Sequence, residues 1–296
     1  MKRTLPRPAV YALLMLVLLC WGGNNIVGRA IRYDIPPFSL AFFRWTGAAI
    51  LVLPFAWRGI MEDWPTVRRE WRRILLLGVV GVGSFNAFLY SGLRHTTATN
   101  AGLITALPPA LVLMLNFAFF RVRPSVAQVI GVTVAAVGVG VIVFRADPAA
   151  VATLRFGFGD ALVLCGAVVW STYTVLLRLA PRIRSLSFLA LTFLIGSAMM
   201  LPPATLEWQH VPLHFTPHAL GGIAYVAIFP SIIAYSLFNM AVREIGAAAT
   251  SQVTSLQPLS GALLAVMLLG EPLHGYHFAG MVLILIGIGI PLVRRA

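Results

Sequence analysis

Apolar residues recur along this 296-residue chain in runs of about twenty, separated by short polar stretches. Ten runs can be drawn, at 9–30, 37–57, 73–93, 98–119, 125–144, 159–179, 186–206, 219–240, 247–269 and 274–293. A helix rises 1.5 Å per residue, so about 20 residues cross a hydrocarbon core ~30 Å thick. The pattern predicts an all-α integral membrane protein with ten transmembrane helices. The stretches between runs are too short for a sizeable soluble domain. The first run follows Lys2, Arg3 and Arg7, as a secretory signal would. No small-x-small cleavage pattern follows it, and its polar end, CWGGNN over 20–25, reads as part of a retained span.

Charge changes the picture in one respect. Hydrophobic residues make up 59% and charged ones 10%, with a formal net charge of +13. Such a charge could point to nucleic acid, but its distribution does not. Placing the N-terminus in the cytoplasm puts sixteen of the 22 Lys and Arg residues inside and five outside, with Arg44 inside a run. That is the positive-inside bias, with both termini cytoplasmic, in an inner membrane. The basic connection over 62–73, EDWPTVRREWRR, suits contact with anionic lipid headgroups. The lipid bilayer is therefore the expected partner, not nucleic acid. The oligomeric state is left open, a monomer sufficing. Cys20 and Cys165 fall within apolar runs and are expected to be buried there as small apolar residues.

The chain repeats itself. Trp21 begins WGGNNIVGRA and Trp170 begins WSTYTVLLRL. Each places polar residues at the third and fourth following positions and an arginine at the eighth. Gly131, Gly138 and Gly140 map onto Gly280, Gly287 and Gly289 at a constant shift of 149. Pro124 and Pro272 open the corresponding runs. Two halves follow, about 1–146 and 147–296, with five spans each. An odd number of spans reverses the second half, so the expectation is a pair of inverted-topology repeats. Such repeats are common in secondary transporters, with the substrate site at their interface. The paired glycines are read as close helix packing.

Polar residues in lipid need a partner or a cavity. Trp21, Asn24, Asn25 and Gly28 share one helical face, and Trp170, Tyr173, Thr174 and Leu177 share the matching one. Tyr235 and Asn239 pair at i, i+4, while Ser251, Thr254, Ser255 and Pro258 line another face with Gln252 nearby. Tyr90 adds an aromatic hydroxyl in the third run. Any one of these could serve only an interhelical hydrogen bond; together they make a candidate substrate-binding lining of Trp21, Asn24, Asn25, Tyr90, Trp170, Tyr173, Tyr235, Asn239, Ser251, Gln252 and Ser255. Pro108, Pro109 and Pro258 sit mid-run, where a kink or hinge is expected. Arg44 is a buried charge that needs a partner; Asp160 and Asp34 are candidates, and its role is either structural or the binding of a carboxylate.

Several chemistries find little support. All nine acidic residues lie at run ends or in connections, against a midplane proton relay and against cationic-drug binding. No GxxxxGK[ST] loop occurs, so the chain has no nucleotide-hydrolysing signature. Tyr33-Asp34 and Gly157-Phe-Gly-Asp160 resemble the paired motifs of intramembrane aspartyl proteases, but Asp34 lies in a connection and Asp160 at a helix start. His210, His214 and His218 make a weak metal pattern in a loop. An enzyme is not expected, nor are cofactors, metals or catalytic residues.

WGGNNIVGRA, followed by IPPFSLAFFRW with Arg44, resembles the opening of the drug/metabolite transporter superfamily, EamA-like type. ATSQVTSLQPLSGALLAVMLLGEPLHGYHFAGMVLILIGIGI resembles its closing signature, including Glu271-Pro272. Arg121-Val-Arg123-Pro124 departs from the family pattern where an acidic residue is usual. The resemblance implies ten helices, a five-plus-five inverted repeat, and a central cavity lined by the first, third, fourth, sixth, eighth and ninth spans. The lining is aromatic and neutral-polar, which suits a zwitterion with an apolar side chain. It is similar to the branch that exports aromatic and other neutral amino acids. The expected activity is export of such amino acids, or of similar small metabolites, by alternating access. A nucleobase or sugar transporter and a non-transporting scaffold are the alternatives.

Overall fold

The computed structural model describes residues 5–96, 98–147, 156–260, 263–264 and 274–293. Every regular element among them is helical: α1 (Arg7–Ala30), α2 (Pro37–Arg69), α3 (Trp71–Leu93), α4 (Ala98–Ile104), α5 (Pro108–Phe120), α6 (Val126–Val143), α7 (Phe158–Leu179), α8 (Ser185–Trp208), α9 (Pro217–Ile245), α10 (Ala247–Thr254) and α11 (Gly275–Val293). Seven of these, α1, α2, α3, α6, α7, α8 and α9, are long and apolar enough to cross a membrane. The chain is thus a multi-pass membrane protein.

Two departures from the periodicity have physical causes. The connection expected after residue 57 is helical as far as Arg69. There Trp57, Met61 and Trp64 are exposed, as aromatic residues are at a membrane–water interface. The run 98–119 is not one kinked helix. α4 stops at Ile104, a turn follows, and Pro108 and Pro109 take the first two positions of α5. A proline is favourable there because its missing N–H would be unpaired anyway. The run from 247 breaks in the same way: α10 ends at Thr254, and helix resumes at 257–260 around Pro258. Thr105-Ala-Leu-Pro-Pro109 and Thr254-Ser-Leu-Gln-Pro258 stand 149 residues apart.

A second pair of irregularities obeys the same shift. α3 widens into a π turn over Val79–Ser84, and α9 does so over Ile228–Ile233. In α9 the cause is Pro230, which lacks the N–H that would bond to Val226; the Ser231 hydroxyl donates to the Val226 carbonyl instead, at 2.8 Å. In α3 the corresponding residue is Gly81. A Cβ there would lie 2.1 Å from the Tyr173 ring, so only glycine admits that ring.

Two helix pairs frame the centre. α2 and α8 run antiparallel, and each carboxylate at one helix's end meets the start of the other. Glu207 accepts from the Ser39 N–H and hydroxyl at 2.9 and 3.0 Å. Asp63 accepts from the Arg184 N–H and Ser187 hydroxyl at 2.9 and 3.0 Å. Both sit where the helix dipole favours a negative charge. α6 and α11 pack through glycine, as the pattern predicts. A Cβ on Gly131 would lie 2.4 Å from the Gly287 carbonyl, and one on Gly138 2.7 Å from that of Gly280. Gly140 and Gly289 do not share in this contact, since no backbone lies within 4 Å of either.

Candidate functional site

The two tryptophans aligned by the repeat meet in the centre of the protein. Trp21 from α1 and Trp170 from α7 contact edge to face, with centroids 5.3 Å apart. Tyr235 and Phe238 from α9 close on both, and Tyr173 adds a further ring, with centroids 5.0–6.4 Å apart. Trp45, Phe85 and Phe193 extend the cluster outward. Tyr90 packs against the same core. Rings at these distances fill the space between them, so α1, α3, α7 and α9 are held together here by aromatic contact.

The polar ends of these rings go to the irregular backbone. The Tyr235 hydroxyl donates to the Gly81 carbonyl at 3.0 Å, and the Trp21 indole donates to the Pro230 carbonyl at 3.2 Å. Gly81 and Pro230 are equivalent under the 149-residue shift, so each π turn offers the same carbonyl to an aromatic donor. π turns inside α-helices often occur at functional sites. The Tyr173 hydroxyl donates to Asn239 Oδ1 at 2.8 Å. Asn239 is 5% exposed and its Nδ2 has no hydrogen-bond partner among the described residues. A buried donor left unpaired costs about 1–3 kcal/mol.

Arg44 is buried as expected, but neither candidate acid is its partner. Its guanidinium donates to Ser231 Oγ at 2.7 Å, the Pro230 carbonyl at 3.3 Å and Asn24 Oδ1 at 3.4 Å, and lies 4.3 Å from the Trp45 ring centroid. Asp160 instead accepts from the Thr96 hydroxyl and, at 2.6 Å, from the Gly157 N–H, capping α7. Among the described residues no carboxylate lies within 4 Å of Arg44. Arg44 therefore braces the π turn of α9 against α1 and α2 through neutral oxygens.

The remaining candidates separate. The Asn25 side chain and the Glu271-Pro272 pair lie outside the described residues. Ser251 and Ser255 are buried on α10 and the turn after it. Gln252 donates to the Gly287 carbonyl at 2.6 Å and lies beside Gly131, so it ties α10 to the α6–α11 contact instead of facing the rings. Cys20 is buried, whereas Cys165 is exposed on the outside of α7. Among the described residues no three His, Cys, Asp or Glu side chains converge for a metal.

The two ends of the α2–α8 pair differ. Ser39 and Asp63 are 24 residues apart on α2, roughly 36 Å at 1.5 Å per residue. At the Glu207 end, Arg94, the residue just past α3, bridges to the carboxylate of Glu207, and Trp208 donates to Ser39 Oγ at 3.0 Å. That end is tied by a buried acid. At the Asp63 end lies a crevice of about 650 Å³, walled by Asp63, Arg178, Arg182, Arg184, Val242 and Arg243. Arg94 and Arg243 are again 149 residues apart.

Several of these residues carried no signal taken up in the sequence. Phe238 shares the Tyr235 face at i+3 and could have been found that way. Pro230 is a mid-run proline like Pro108 and could have marked the π turn. Glu207 gave no sign, because its partners lie 113 and 168 residues away.

The chain matches the model of the EamA-like transporter family twice, over residues 9–144 and 157–292. It is 27% identical over 283 residues to the uncharacterized transporter YyaM of Bacillus subtilis (strain 168), covering 94% of this chain and 92% of that one. It is 25% identical over 293 residues to an uncharacterized transporter of Archaeoglobus fulgidus, covering 96% and 98%. A solved crystal structure covering 98% of this chain and 99% of its own superposes with a TM-score of 0.78 at 20% identity, which speaks for the fold alone.

Proposed function

The chain belongs to the EamA-like transporter family, and on that premise we propose that it exports neutral amino acids, aromatic ones foremost, by alternating access. It is a membrane transporter within the drug/metabolite transporter superfamily. The observation that carries the substrate reading is the central cluster of Trp21, Trp170, Tyr173, Tyr235 and Phe238 around Asn239. Its rings suit an apolar side chain, and the unpaired Asn239 Nδ2 suits an oxygen of the polar end. Asn24, Tyr90, Ser251 and Ser255 complete the proposed path, with the breaks before Pro109 and Pro258 as its hinges.

The proposed topology has ten spans, halves at 1–146 and 147–296 in inverted orientation, and both termini on the cytoplasmic side of the inner membrane. Three observations support it. The π turns and the helix breaks each recur at 149 residues. Trp21 touches its own equivalent, Trp170. The glycine contacts cross: Gly131 meets Gly287 and Gly138 meets Gly280. Contacts of residue i with j′ and of j with i′ are the signature of a two-fold axis. Alternating access is supported by the unlike ends, one tied through Glu207 and the other carrying the crevice.

The test is transport by the full chain in proteoliposomes, across a panel of amino acids, nucleobases and sugars, with and without a pH gradient. Saturable uptake of aromatic amino acids is expected. Uptake matching empty liposomes across the amino acids, with a nucleobase or sugar carried instead, would replace the reading.

A further inference from the structure

Three of the four arginines in the crevice at the Asp63 end have no ion-pair partner among the described residues. Arg184 is paired: its guanidinium bonds to Glu62, which holds its pKa above the ordinary value. Among the described residues no carboxylate lies within 4 Å of Arg178, Arg182 or Arg243. The one acid in the wall, Asp63, is engaged by the Arg184 N–H and the Ser187 hydroxyl. Aromatic faces steer two of the heads, Arg178 at 4.2 Å from the Phe120 centroid and Arg243 at 6.0 Å from that of Phe188. Such stacking leaves the guanidinium N–H groups free to donate.

The repeat supplies a control. Arg94 stands at the equivalent place in the first half, and there Glu207 meets it. The residue 149 positions before Glu207 is Arg58, so the first half puts a cation where the second has an acid. Arg243 therefore has a cation at the position equivalent to Glu207, and Arg178 and Arg182 beside it in the crevice. Topological bias explains basic residues in this connection, but not their convergence on one concave surface, which focuses their field.

The floor of the crevice leads inward. Leu177 and Val242 line it and are buried. One turn deeper on the same two helices lie Tyr173 and Asn239, and Asn239 carries the unpaired Nδ2. Charge thus lies at the mouth and a buried, unpaired donor lies one turn behind its apolar floor.

We propose that this crevice receives the acid group of the transported molecule, so that the substrates are small carboxylates, amino acids among them, and not amines or uncharged compounds. The assignment rests on the transport reading above. Arg178, Arg182 and Arg243 capture the carboxylate, and the apolar remainder passes to the rings.

Arginine-specific modification tests this apart from transport. The full chain in phosphatidylcholine nanodiscs is treated with phenylglyoxal, and each arginine is followed by peptide mass spectrometry. With 3-phenylpropanoate present, Arg178, Arg182 and Arg243 should be modified several-fold more slowly, with Arg72 and Arg73 unchanged. Phenethylamine, which lacks the carboxylate, should protect none. Equal rates with and without 3-phenylpropanoate overturn the proposal. So does protection that arises only when phosphatidylglycerol replaces phosphatidylcholine, which would make the crevice a lipid-headgroup site. In proteoliposomes, R178Q/R182Q/R243Q should raise KM for carboxylate substrates several-fold at low salt while kcat holds. Protection without transport of any compound would sink the transport reading and leave the crevice a carboxylate site without a cargo. Transport without protection would sink this inference alone.

Discussion

Replacing Arg94 by glutamine removes the one cation that ties α3 to Glu207. The carboxylate stays, 7% exposed, still holding the Ser39 N–H and hydroxyl. A charge-assisted bond is worth about 1.5–3 kcal/mol, and the half-exposed Arg94 side chain is screened by water, so about 1–2 kcal/mol is the expected loss. If that bond exists only while this end is shut, the loss falls directly on the open–shut equilibrium. At ~1.4 kcal/mol per tenfold, opening should become about 5- to 30-fold more frequent. Amide hydrogen exchange over residues 37–43 reads it, because the Ser39 N–H is covered by Glu207. Exchange there should quicken by that factor in R94Q, with a similar rise in E207Q and no further rise in the double variant. Residues 184–188 at the far end should not quicken, and on the alternating-access proposal they should slow. Exchange over 37–43 within about two-fold of the parent chain in both single variants would refute the closure argument, since a tie worth over 1 kcal/mol must show. Additive effects in the double variant would refute it equally.

Three further outcomes follow from close contacts. Gly81→Ala drives a Cβ to within 2.1 Å of the buried Tyr173 ring and should cost about 1–3 kcal/mol of overpacking, read as a lower Tm and loss of transport; the control Gly221→Ala, with nothing within 4 Å, should leave both unchanged. Gly131→Ala should lower Tm where Gly289→Ala does not, because only the first meets the backbone of the partner helix, at 2.4 Å. Tyr173→Phe leaves Asn239 without its one bond and should cost about 1–2 kcal/mol, measured by thermal unfolding in detergent; an unchanged Tm would show that the amide finds another partner.

How much of this was legible depends on what each residue's environment asks of the pattern. Lipid demands long apolar runs, so α1, α3, α7 and α9 stood out. The repeat was visible because glycines at 131, 138, 280 and 287 are fixed by backbone contact, which no other residue tolerates. The Trp21–Trp170 pair was visible for a similar reason. The end of α2 was misread because exposed Trp57, Met61 and Trp64 are interleaved with charged residues there, and such mixing does not end a helix. At Pro109 and Pro258 a kink or hinge was expected within one helix, and the backbone instead breaks before each, because a proline mid-run fits either a bend or a fresh start. Arg44 was given the wrong partners because an acid was the obvious mate. The π turn of α9 met it instead with the Pro230 carbonyl and Ser231 hydroxyl, and backbone acceptors leave no mark in a sequence.

On the repeat reading, a pure duplication would close both ends with equal free energy and give no preferred state. This chain departs from symmetry where closure is decided. Glu207 and Arg58 are equivalent positions, yet one is an acid that meets Arg94 and the other a cation that cannot meet Arg243. Asp63, the acid nearest in role, is drawn to the start of α8 by Ser187 and the Arg184 N–H. The Glu207 end therefore has a partly buried ion pair worth about 1–2 kcal/mol, whereas the pair at the other end, Arg184–Glu62, is exposed on both sides and worth less. A molecule bringing its own negative charge to Arg243 supplies what the first half lacks at position 58, and so acts most strongly at the end where the crevice lies. If the crevice takes the substrate's acid group, the bias of the resting protein and the charge of its substrate both follow from the unlike residues at 58 and 207, and an acid placed at position 58 should weaken both together.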